Sequence, residues 1–381
     1  MKVDLKITGG TIIDPERGIN GPGEVLIRGN KIVGQARDGE AIEAETTVDA
    51  KGCLVLPGLI DFHAHLSGGG TESGIDADIA MLPMGVTTGV DAGSCGAANF
   101  DYFMRTTVAT SRARIFSFIN ISSGGLIATR YAEELNPKYF DEAAIGELLS
   151  RYRGQLLGIK VRVSKEIVGD LGIKPLEATL EIAQRLNCPV VVHTTNPVAA
   201  PENIAAMLRP GDVYCHAHQG EGETIVGANG KIRPALFAAQ KAGVVFDACN
   251  GRNNFSFKVA QAALAEGFLP DVISSDVTKK TLYGAFVFSL PFVMMKYLNM
   301  GMKLEQVVAA CTSVPACLIG MKGKLGTLTP GALADVAVFR LGKKKLEVKD
   351  LRGDSLIGEN VLVPQMTILD GRTIYRQIDF Q

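Results

Sequence analysis

Histidine is rare in this chain, and each histidine follows a short apolar run that reads as a strand. Side chains two residues apart on a strand point to the same face, so His63 and His65 can reach one cation. Two satisfied polar side chains at a strand end would explain that pair alone about as well. The other histidines follow later runs, and parallel strands that share one end would bring these imidazoles together. The five histidines are His63, His65, His193, His216 and His218.

Two residues of other types end similar runs. Asp276 closes the run 271–276, and a carboxylate buried there is costly unless a partner such as a metal compensates it. Lys160 closes the run 156–160. It is either a surface lysine whose ammonium stays in water or a desolvated amine with a lowered pKa. Such an amine can add carbon dioxide to form a carbamate, an anionic ligand able to bridge two cations.

The elements that must position these residues recur along the middle of the chain. Apolar, β-branched runs are separated by segments long enough for a helix and two loops, which is typical of parallel sheets. Helices are predicted at 175–186 and 233–242. Eight runs suit a closed (β/α)8 TIM barrel, and the alternative, an open doubly wound sheet, lacks a G-x-G-x-x-G segment after its first strand. The runs lie near Leu59, Thr88, Phe116, Ile159, Val191, Val213, Val245 and Ile273.

Both chain ends are predicted to be rich in strands. The strand-like segments near the N-terminus are 4–13, 24–33 and 46–48, and those near the C-terminus are 334–339 and 365–369. Asp370-Gly371 is a strong hairpin turn. We therefore predict an α/β protein in which residues 1–53 and 323–381 form a small β-sandwich subdomain and residues 54–322 form the barrel.

Composition limits the class of protein. The chain has 381 residues, 46% of them hydrophobic, with 39 basic against 40 acidic residues. Near-neutral charge without a basic tract argues against nucleic-acid partners, and no apolar stretch is long enough to argue for a membrane partner. Seven cysteines without a C-x-x-C pair indicate a reducing, cytoplasmic location. Cys215 and Cys249, near strand ends, are interpreted as small buried hydrophobes.

Several segments resemble those of one family, the amidohydrolase superfamily. Residues 57–65 (PGLIDFHAH) resemble its first-strand signature, 85–88 (GVTT) its second-strand motif, and 326–336 (GTLTPGALADV) the return to its β-subdomain. Residues 118–122 (FINIS) and 158–162 (GIKVR) are similar to strands three and four of its dihydroorotase-like amidohydrolase/deacetylase group. The resemblance covers essentially the whole chain.

The resemblance implies two divalent metal ions, usually zinc, although imidazole and oxygen ligands also accept manganese, iron or cobalt. By that analogy His63, His65 and Asp276 hold one ion. His193 and His216 hold the other, with His216 rather than His218 as the ligand because it directly follows the strand. An N6-carboxylated Lys160 and a hydroxide would bridge the two ions.

The implied reaction is hydrolysis of an amide, a cyclic amide or an ester, with Asp276 as general base and then acid. The substrate is expected to be a small, carboxylate-bearing molecule: an N-acyl amino acid, an acylated hydroxy acid or a dihydroorotate-like ring. Arg162 either binds that carboxylate or braces the barrel mouth in an ion pair. His218, Asn250 and Arg252 are candidate substrate contacts in loops. A homo-oligomer is expected.

Two departures from the family pattern and two other functions stay open. Residues 247–254 (DACNGRNN) replace the usual Gly-His-Gly segment after strand seven, which leaves the substrate pocket undefined. Residues 312–316 (TSVPA) lack the usual Asn before Pro. A deaminase of heterocycles is the alternative enzyme, although such relatives typically use one metal and a Glu near the strand-five or strand-six His. A non-catalytic assembly protein is the third reading, and retention of all six metal ligands argues against it.

Overall fold

A computed structural model describes residues 1–34, 41–128 and 130–380. Its strands are β1 (Lys2–Thr8), β2 (Thr11–Asp14), β3 (Ile19–Pro22), β4 (Val25–Arg28), β5 (Lys31–Val33), β6 (Glu43–Asp49), β7 (Leu54–Pro57), β8 (Leu59–Ala64), β9 (Val86–Gly96), β10 (Arg114–Asn120), β11 (Leu156–Arg162), β12 (Val190–His193), β13 (Val213–Cys215), β14 (Val245–Asp247), β15 (Val336–Lys349), β16 (Ser355–Leu369) and β17 (Arg372–Arg376). Its α-helices are α1 (Ala77–Met81), α2 (Phe100–Phe103), α3 (Glu142–Arg151), α4 (Lys165–Val168), α5 (Lys174–Arg185), α6 (Pro201–Met207), α7 (Pro234–Lys241), α8 (Phe257–Ala265), α9 (Leu290–Asn299), α10 (Leu304–Ala309) and α11 (Ser313–Leu318).

The central sheet is parallel, and its spatial order follows the chain from β8 to β14. These strands correspond to the first seven predicted runs. The eighth run, 271–276, is not a regular strand, but it bonds to both edges of the sheet. The N–H of Ala248 donates to the Val272 carbonyl at 2.9 Å, and the N–H of Asp276 donates to the His63 carbonyl at 2.8 Å. The backbone is irregular here because Asp276 has a positive φ of 52°.

Helices between these strands cover the sheet. α5 packs on β11 and β12, and its buried positions recur at the spacing of one helix face. Pro175 occupies its first turn, and Gly243, with φ at 102°, follows α7. Both predicted helices are therefore confirmed within two residues at each end. Within the described ranges, no helix has the length and apolar character needed to cross a bilayer.

Two further sheets are built from the chain ends, as the strand predictions indicated. Their orders are β5-β4-β1-β6 and β17-β16-β15-β7-β2-β3. Ile7, Ile27, Val338 and Ile368 belong to one buried cluster to which both sheets contribute. β7, at the start of the segment 54–322, pairs with β15 and β2 and so belongs to a terminal sheet. The predicted turn at Asp370-Gly371 joins β16 to β17, with φ positive at both residues.

The hairpin of β15 and β16 is longer than the sequence indicated. Its far end contains Lys343, Lys344 and Lys345, so hydrophobic alternation marks only the segments near 334–339 and 365–369. The tip, residues 350–354, reaches the carboxyl end of the parallel sheet. There Asp350 Oδ2 accepts a hydrogen bond from the Phe257 N–H at 2.9 Å. The C-terminal region thus contacts the loops that surround the candidate site.

Candidate metal centre

The carboxyl ends of the parallel strands surround a cavity of about 550 Å³. β8, β11 and β12 each bring polar side chains to it at their last residues, and the residues after β8 and β13 add two imidazoles. Such a cluster requires strands that end at the same edge of the sheet, as parallel strands do. All six predicted metal ligands line this cavity, namely His63, His65, Lys160, His193, His216 and Asp276.

Three of these residues, His63, His65 and Asp276, form one compact group. Asp276 Oδ1 lies 3.3 Å from His65 Nε2 and 3.9 Å from His63 Nε2. One donor atom from each residue lies within 4.8 Å of the others, and all three side chains are buried. Two imidazoles and one carboxylate at this separation are a donor set suited to a divalent cation.

His193 and His216 form the neighbouring group. Their ring centroids are 4.2 Å apart, and the His216 ring lies 5.3 Å from that of His63. His216 Nδ1 lies 2.8 Å from the Cys249 carbonyl oxygen, which accepts its N–H and leaves Nε2 free to bind a metal. The φ of His216 is 64°, so its backbone departs from the strand that precedes it. Strained backbone of this kind is common at functional sites.

Lys160 lies among these imidazoles. Its side chain is buried, and Nζ is 3.4 Å from His63 Nε2. In the ranges that the structure describes, no carboxylate forms an ion pair with this lysine. Burying an ammonium without an anionic partner is costly, which makes the surroundings of this lysine unusual.

Burial sets the protonation of the ligand groups. It lowers the pKa of His63 to about 4, with the Lys160 charge acting in the same direction. It also lowers the pKa of His193 well below the usual value, assisted by His216. Burial acts to raise the pKa of Asp276, but its contacts with His65 and the neighbouring histidines outweigh burial, so the net shift is downward. Neutral imidazoles and an ionised carboxylate are the forms that bind metals.

The structure divides the predicted substrate contacts into two pairs. Arg162 and Arg252 line the cavity, and Arg162 Nη1 lies 3.0 Å from Glu133 Oε2. His218 and Asn250 do not line it. Both are buried behind the strand ends, where His218 Nδ1 lies 2.7 Å from the Tyr297 hydroxyl and Asn250 Nδ2 donates to the same hydroxyl at 3.1 Å.

Sequence reasoning missed other cavity residues. Asn254 Nδ2 donates to Asp276 Oδ2 at 2.7 Å, and Thr195 Oγ1 donates to Asn254 Oδ1 at 2.8 Å. Glu133 is held by Asn120, whose Nδ2 donates to Oε1 at 2.9 Å. Thr195 lies two residues after His193, and that position was an available signal. Nothing in the local sequence marks Glu133, because its partners come from β10 and β11.

Comparisons with known proteins find similar sequences and structures that cover most of the chain. A model of the amidohydrolase family matches residues 273–375. A deacetylase of Agrobacterium fabrum is 34% identical over 355 residues, which cover 92% of this chain and 86% of that protein. A crystal structure of an adenine deaminase has a TM-score of 0.90 and 29% identity, with 98% of this chain and 100% of that chain covered. A dihydroorotase structure has a TM-score of 0.85 and 31% identity, with 98% of each chain covered.

Proposed function

Since the chain belongs to the amidohydrolase superfamily and is a hydrolytic enzyme, we propose that it cleaves an amide, a cyclic amide or an ester in a small substrate that carries a carboxylate. The observation that carries the proposal is the convergence of His63, His65 and Asp276, with their donor atoms within 4.8 Å, on the wall of one cavity. The names of the similar proteins, deacetylase and dihydroorotase, support hydrolysis of acyl groups or cyclic amides.

The donor set fits two divalent metal ions, with zinc as the first choice. His63, His65 and Asp276 would hold one ion, and His193 and His216 the other. Bound there, the pair would supply an activated water and polarise the scissile carbonyl. The neutral imidazoles of His63 and His193 suit this role because protonated imidazole cannot bind a metal.

We propose that Lys160 is carboxylated on Nζ. The support is its burial, its contact with His63 and the lack of an anionic partner in the described ranges. A carbamate removes the uncompensated positive charge and adds two oxygen donors between the two histidine groups. Gly93 leaves room for the lysine stem, since a Cβ at Gly93 would lie 2.6 Å from Lys160 Cβ.

Asp276 performs the proton transfers. Its carboxylate takes a proton from the attacking water and delivers it to the leaving nitrogen or oxygen. Asn254 binds Oδ2, which leaves Oδ1 directed at His65 and the cavity. No serine, cysteine or lysine nucleophile is needed for this chemistry.

Arg162 and Arg252 are the proposed contacts for the substrate carboxylate. Both line the cavity, and a guanidinium can bind a carboxylate through two parallel hydrogen bonds. Glu133 occupies one side of Arg162 and fixes its direction. The substrate class is therefore an N-acyl amino acid, an acylated hydroxy acid or a dihydroorotate-like ring.

Deamination of a heterocycle is the second candidate. It is favoured by the TM-score of 0.90 to the adenine deaminase structure. Glu221 lines the cavity but follows His216 by five residues, and this spacing weakens the candidate. A deaminase of that kind needs one metal ion and no lysine ligand, so metal stoichiometry separates the two candidates.

The deciding experiment is elemental analysis of protein purified without chelators and with bicarbonate present. We expect two metal ions per chain in the wild type and at most one in Lys160→Ala. Lys165→Ala, which removes an exposed lysine nearby, serves as the control and should keep both ions. One ion per chain, unchanged in Lys160→Ala, would favour the deaminase, and the absence of metal would overturn both candidates.

Activity measurements complete the test. We expect turnover of N-acetyl amino acids, O-acetyl hydroxy acids or dihydroorotate to depend on added metal and to be abolished in Asp276→Asn. The amide of that variant keeps one oxygen donor, so bound metal should remain. Full activity in Asp276→Asn would remove this residue from the mechanism.

We also propose a domain organisation and an oligomeric state for this chain. We propose that the segment 54–322, apart from β7, forms a closed barrel, supported by the bonds of the segment 272–277 to both sheet edges, and that β7 joins residues 1–53 and 323–381 in the β-sandwich subdomain. A cytoplasmic homo-oligomer is proposed as well. Light scattering coupled to gel filtration tests the oligomeric state.

A further inference from the structure

The two ring nitrogens of His63 face different surroundings. Nε2 faces the cavity, 3.4 Å from Lys160 Nζ and 3.9 Å from Asp276 Oδ1. Nδ1 faces the interior of the sheet, where the nearest polar atom is Cys215 Sγ at 3.2 Å. If Nε2 offers its lone pair to a metal, the proton of the neutral ring must sit on Nδ1. A buried N–H of this kind needs an acceptor.

The carboxylate below His63 does not provide that acceptor. Asp247 Oδ2 lies 4.0 Å from Nδ1, which is beyond hydrogen-bond distance. The Ser274 hydroxyl lies 2.7 and 2.8 Å from the two Asp247 oxygens and shares its single proton between them, and Oδ1 also accepts from the Cys249 N–H at 3.0 Å. The sulfur of Cys215 therefore takes the place that a carboxylate or carbonyl usually has behind a metal-binding histidine.

The neighbouring ligands use oxygen instead. His216 Nδ1 lies 2.8 Å from the Cys249 carbonyl, and His65 Nδ1 lies 2.9 Å from Ser94 Oγ. Ser94 in turn donates to Asp91 Oδ2 at 2.7 Å. Of the two imidazoles in the group with Asp276, His63 is thus the one whose Nδ1 contacts sulfur.

We propose that Cys215 is a positioning residue for the metal centre: its Sγ accepts the Nδ1–H of His63 and keeps Nε2 directed into the cavity. The inference rests on the proposed metal centre and deepens it. Cys215 is the last residue of β13, and His216 follows it. One strand end therefore orients His63 through sulfur and supplies His216 directly, which ties the two metal groups together.

The experiment compares variants that each remove one buried thiol. Cys215→Ala removes the acceptor, and Cys215→Ser replaces it with a hydroxyl. Cys311→Ala is the control, because Cys311 is equally buried and its sulfur contacts the Ile273 carbonyl instead of a histidine. Each protein is loaded with zinc, and metal loss is followed with a chromogenic chelator. The cobalt-loaded proteins are then examined for a sulfur-to-cobalt charge-transfer band.

We expect Cys215→Ala to weaken binding of one ion by about 10- to 100-fold, the usual effect of losing a group behind a metal ligand. Cys215→Ser should recover most of this loss, Cys311→Ala should bind like the wild type, and no cobalt–sulfur band should appear. If Cys215→Ala does not fold, Cys215→Val provides an apolar side chain of similar size for the same comparison.

Several results would overturn the inference. Wild-type zinc affinity in Cys215→Ala or Cys215→Val means that sulfur does not position His63. Equal losses in Cys215→Ala and Cys311→Ala mean that the effect is general destabilisation. A cobalt–sulfur band that disappears in Cys215→Ala means that Cys215 is itself a ligand. Failure of the wild type to bind zinc would instead overturn the proposed metal centre, so the two failures are distinguishable.

Discussion

Asn254 binds one oxygen of Asp276 and leaves the other to the imidazoles. Its Nδ2 donates to Oδ2 at 2.7 Å, while Oδ1 of the same carboxylate lies 3.3 Å from His65 Nε2. Thr195 donates to the Asn254 oxygen at 2.8 Å, which fixes the amide so that its nitrogen faces Asp276. The carboxylate is thus oriented by an amide from the loop that departs from the family pattern.

This relationship makes Asn254 a positioning residue for the proposed general base. In Asn254→Ala we expect kcat to fall by about 10- to 100-fold, because the carboxylate can rotate away from the substrate. Asn254→Asp has the same size but places a second carboxylate against Asp276, so it should be at least as impaired. Steady-state kinetics with metal analysis of each variant make the measurement. Asn229→Ala, in an exposed turn, is the control, and unchanged kcat in Asn254→Ala would contradict the assignment.

The contact of Arg162 with Glu133 leads to a prediction about substrate binding. Glu133 pairs with Nη1 of Arg162, so the other guanidinium nitrogens can face a substrate carboxylate. In Arg162→Gln we expect KM for a carboxylate substrate to rise by roughly 10- to 150-fold, which corresponds to the loss of a charge-assisted hydrogen bond of about 1.5 to 3 kcal/mol. The comparison is with the methyl ester of the same substrate acid, whose KM should change little.

Glu133→Gln tests whether Arg162 binds the substrate carboxylate or only braces the cavity wall. It removes the charge that pairs with Arg162 but keeps an acceptor for Asn120. If Arg162 only braces the cavity wall, Arg162→Gln and Glu133→Gln should reduce stability alike, and the acid and its ester should be affected equally in both variants. Urea unfolding alongside the kinetics distinguishes these results.

The tip of the β15–β16 hairpin gives a prediction about stability. Asp350 is buried and accepts the N–H of Phe257 at the start of α8, whereas Arg352 forms a half-exposed ion pair with Glu221 at 3.5 Å. We expect Asp350→Ala to cost about 1 to 3 kcal/mol, because the buried N–H of Phe257 would lose its acceptor. Arg352→Ala should cost less than about 1 kcal/mol, because exposed ion pairs contribute little.

Chemical unfolding of the wild type, Asp350→Ala and Arg352→Ala measures the free energy of unfolding of each protein and checks that order. Asp354→Ala, an exposed residue of the same tip, is the control for changes to the turn. A larger loss of unfolding free energy in Arg352→Ala than in Asp350→Ala would mean that the ion pair with Glu221 attaches the hairpin to the loops around the cavity. The hydrogen bond from Phe257 to Asp350 would then be the lesser contact.

The sequence predicted the polar side chains that the structure brings to the cavity more reliably than the residues that support them. His193 and His216 could be recognised because each follows an apolar strand directly, and parallel strands end together. Glu133 could not, because its position depends on Asn120 and Arg162 from two other strands. The sequence also placed Asn250 in an open loop. The structure buries it because α9 supplies Tyr297 and Lys296 as hydrogen-bond partners, a tertiary contact that no local pattern indicates.

The fold, too, was predicted where local sequence decides the structure and not where distant contacts do. Alternation and turn residues predicted β1 and the turn after β16, where local chemistry decides the structure. In the eighth run, where Asp276 has a positive φ, Ser274 and Ser275 also bind the buried carboxylates Asp247 and Asp61 through their hydroxyls. Those contacts depend on neighbours far away in the chain, so the apolar run alone predicted a strand.

Lys296 gives a prediction about the pH dependence of stability. Its ammonium donates to the Phe286 carbonyl at 2.6 Å and to Asn250 Oδ1 at 3.1 Å, and burial lowers its pKa from 10.5 to about 7, with Asp350 opposing the shift. Between these two values the unfolded chain binds more protons at this lysine than the folded chain does. This group therefore makes the free energy of unfolding rise with pH from about 7 to 10.5, by at most about 1.4 kcal/mol per pH unit.

Lys296→Met should remove that contribution, because it replaces the ammonium that lies over the Phe255 and Phe292 rings with an uncharged side chain of similar length. Urea unfolding at several pH values is the measurement. The free energy of unfolding of the wild type minus that of Lys296→Met should increase steadily from pH 7 to 10.5 and stay constant below pH 7. Lys322→Met, an exposed position, should show no such trend against the wild type. A constant difference for Lys296→Met across this range would mean that Lys296 remains charged in the folded protein, held by its two oxygen partners.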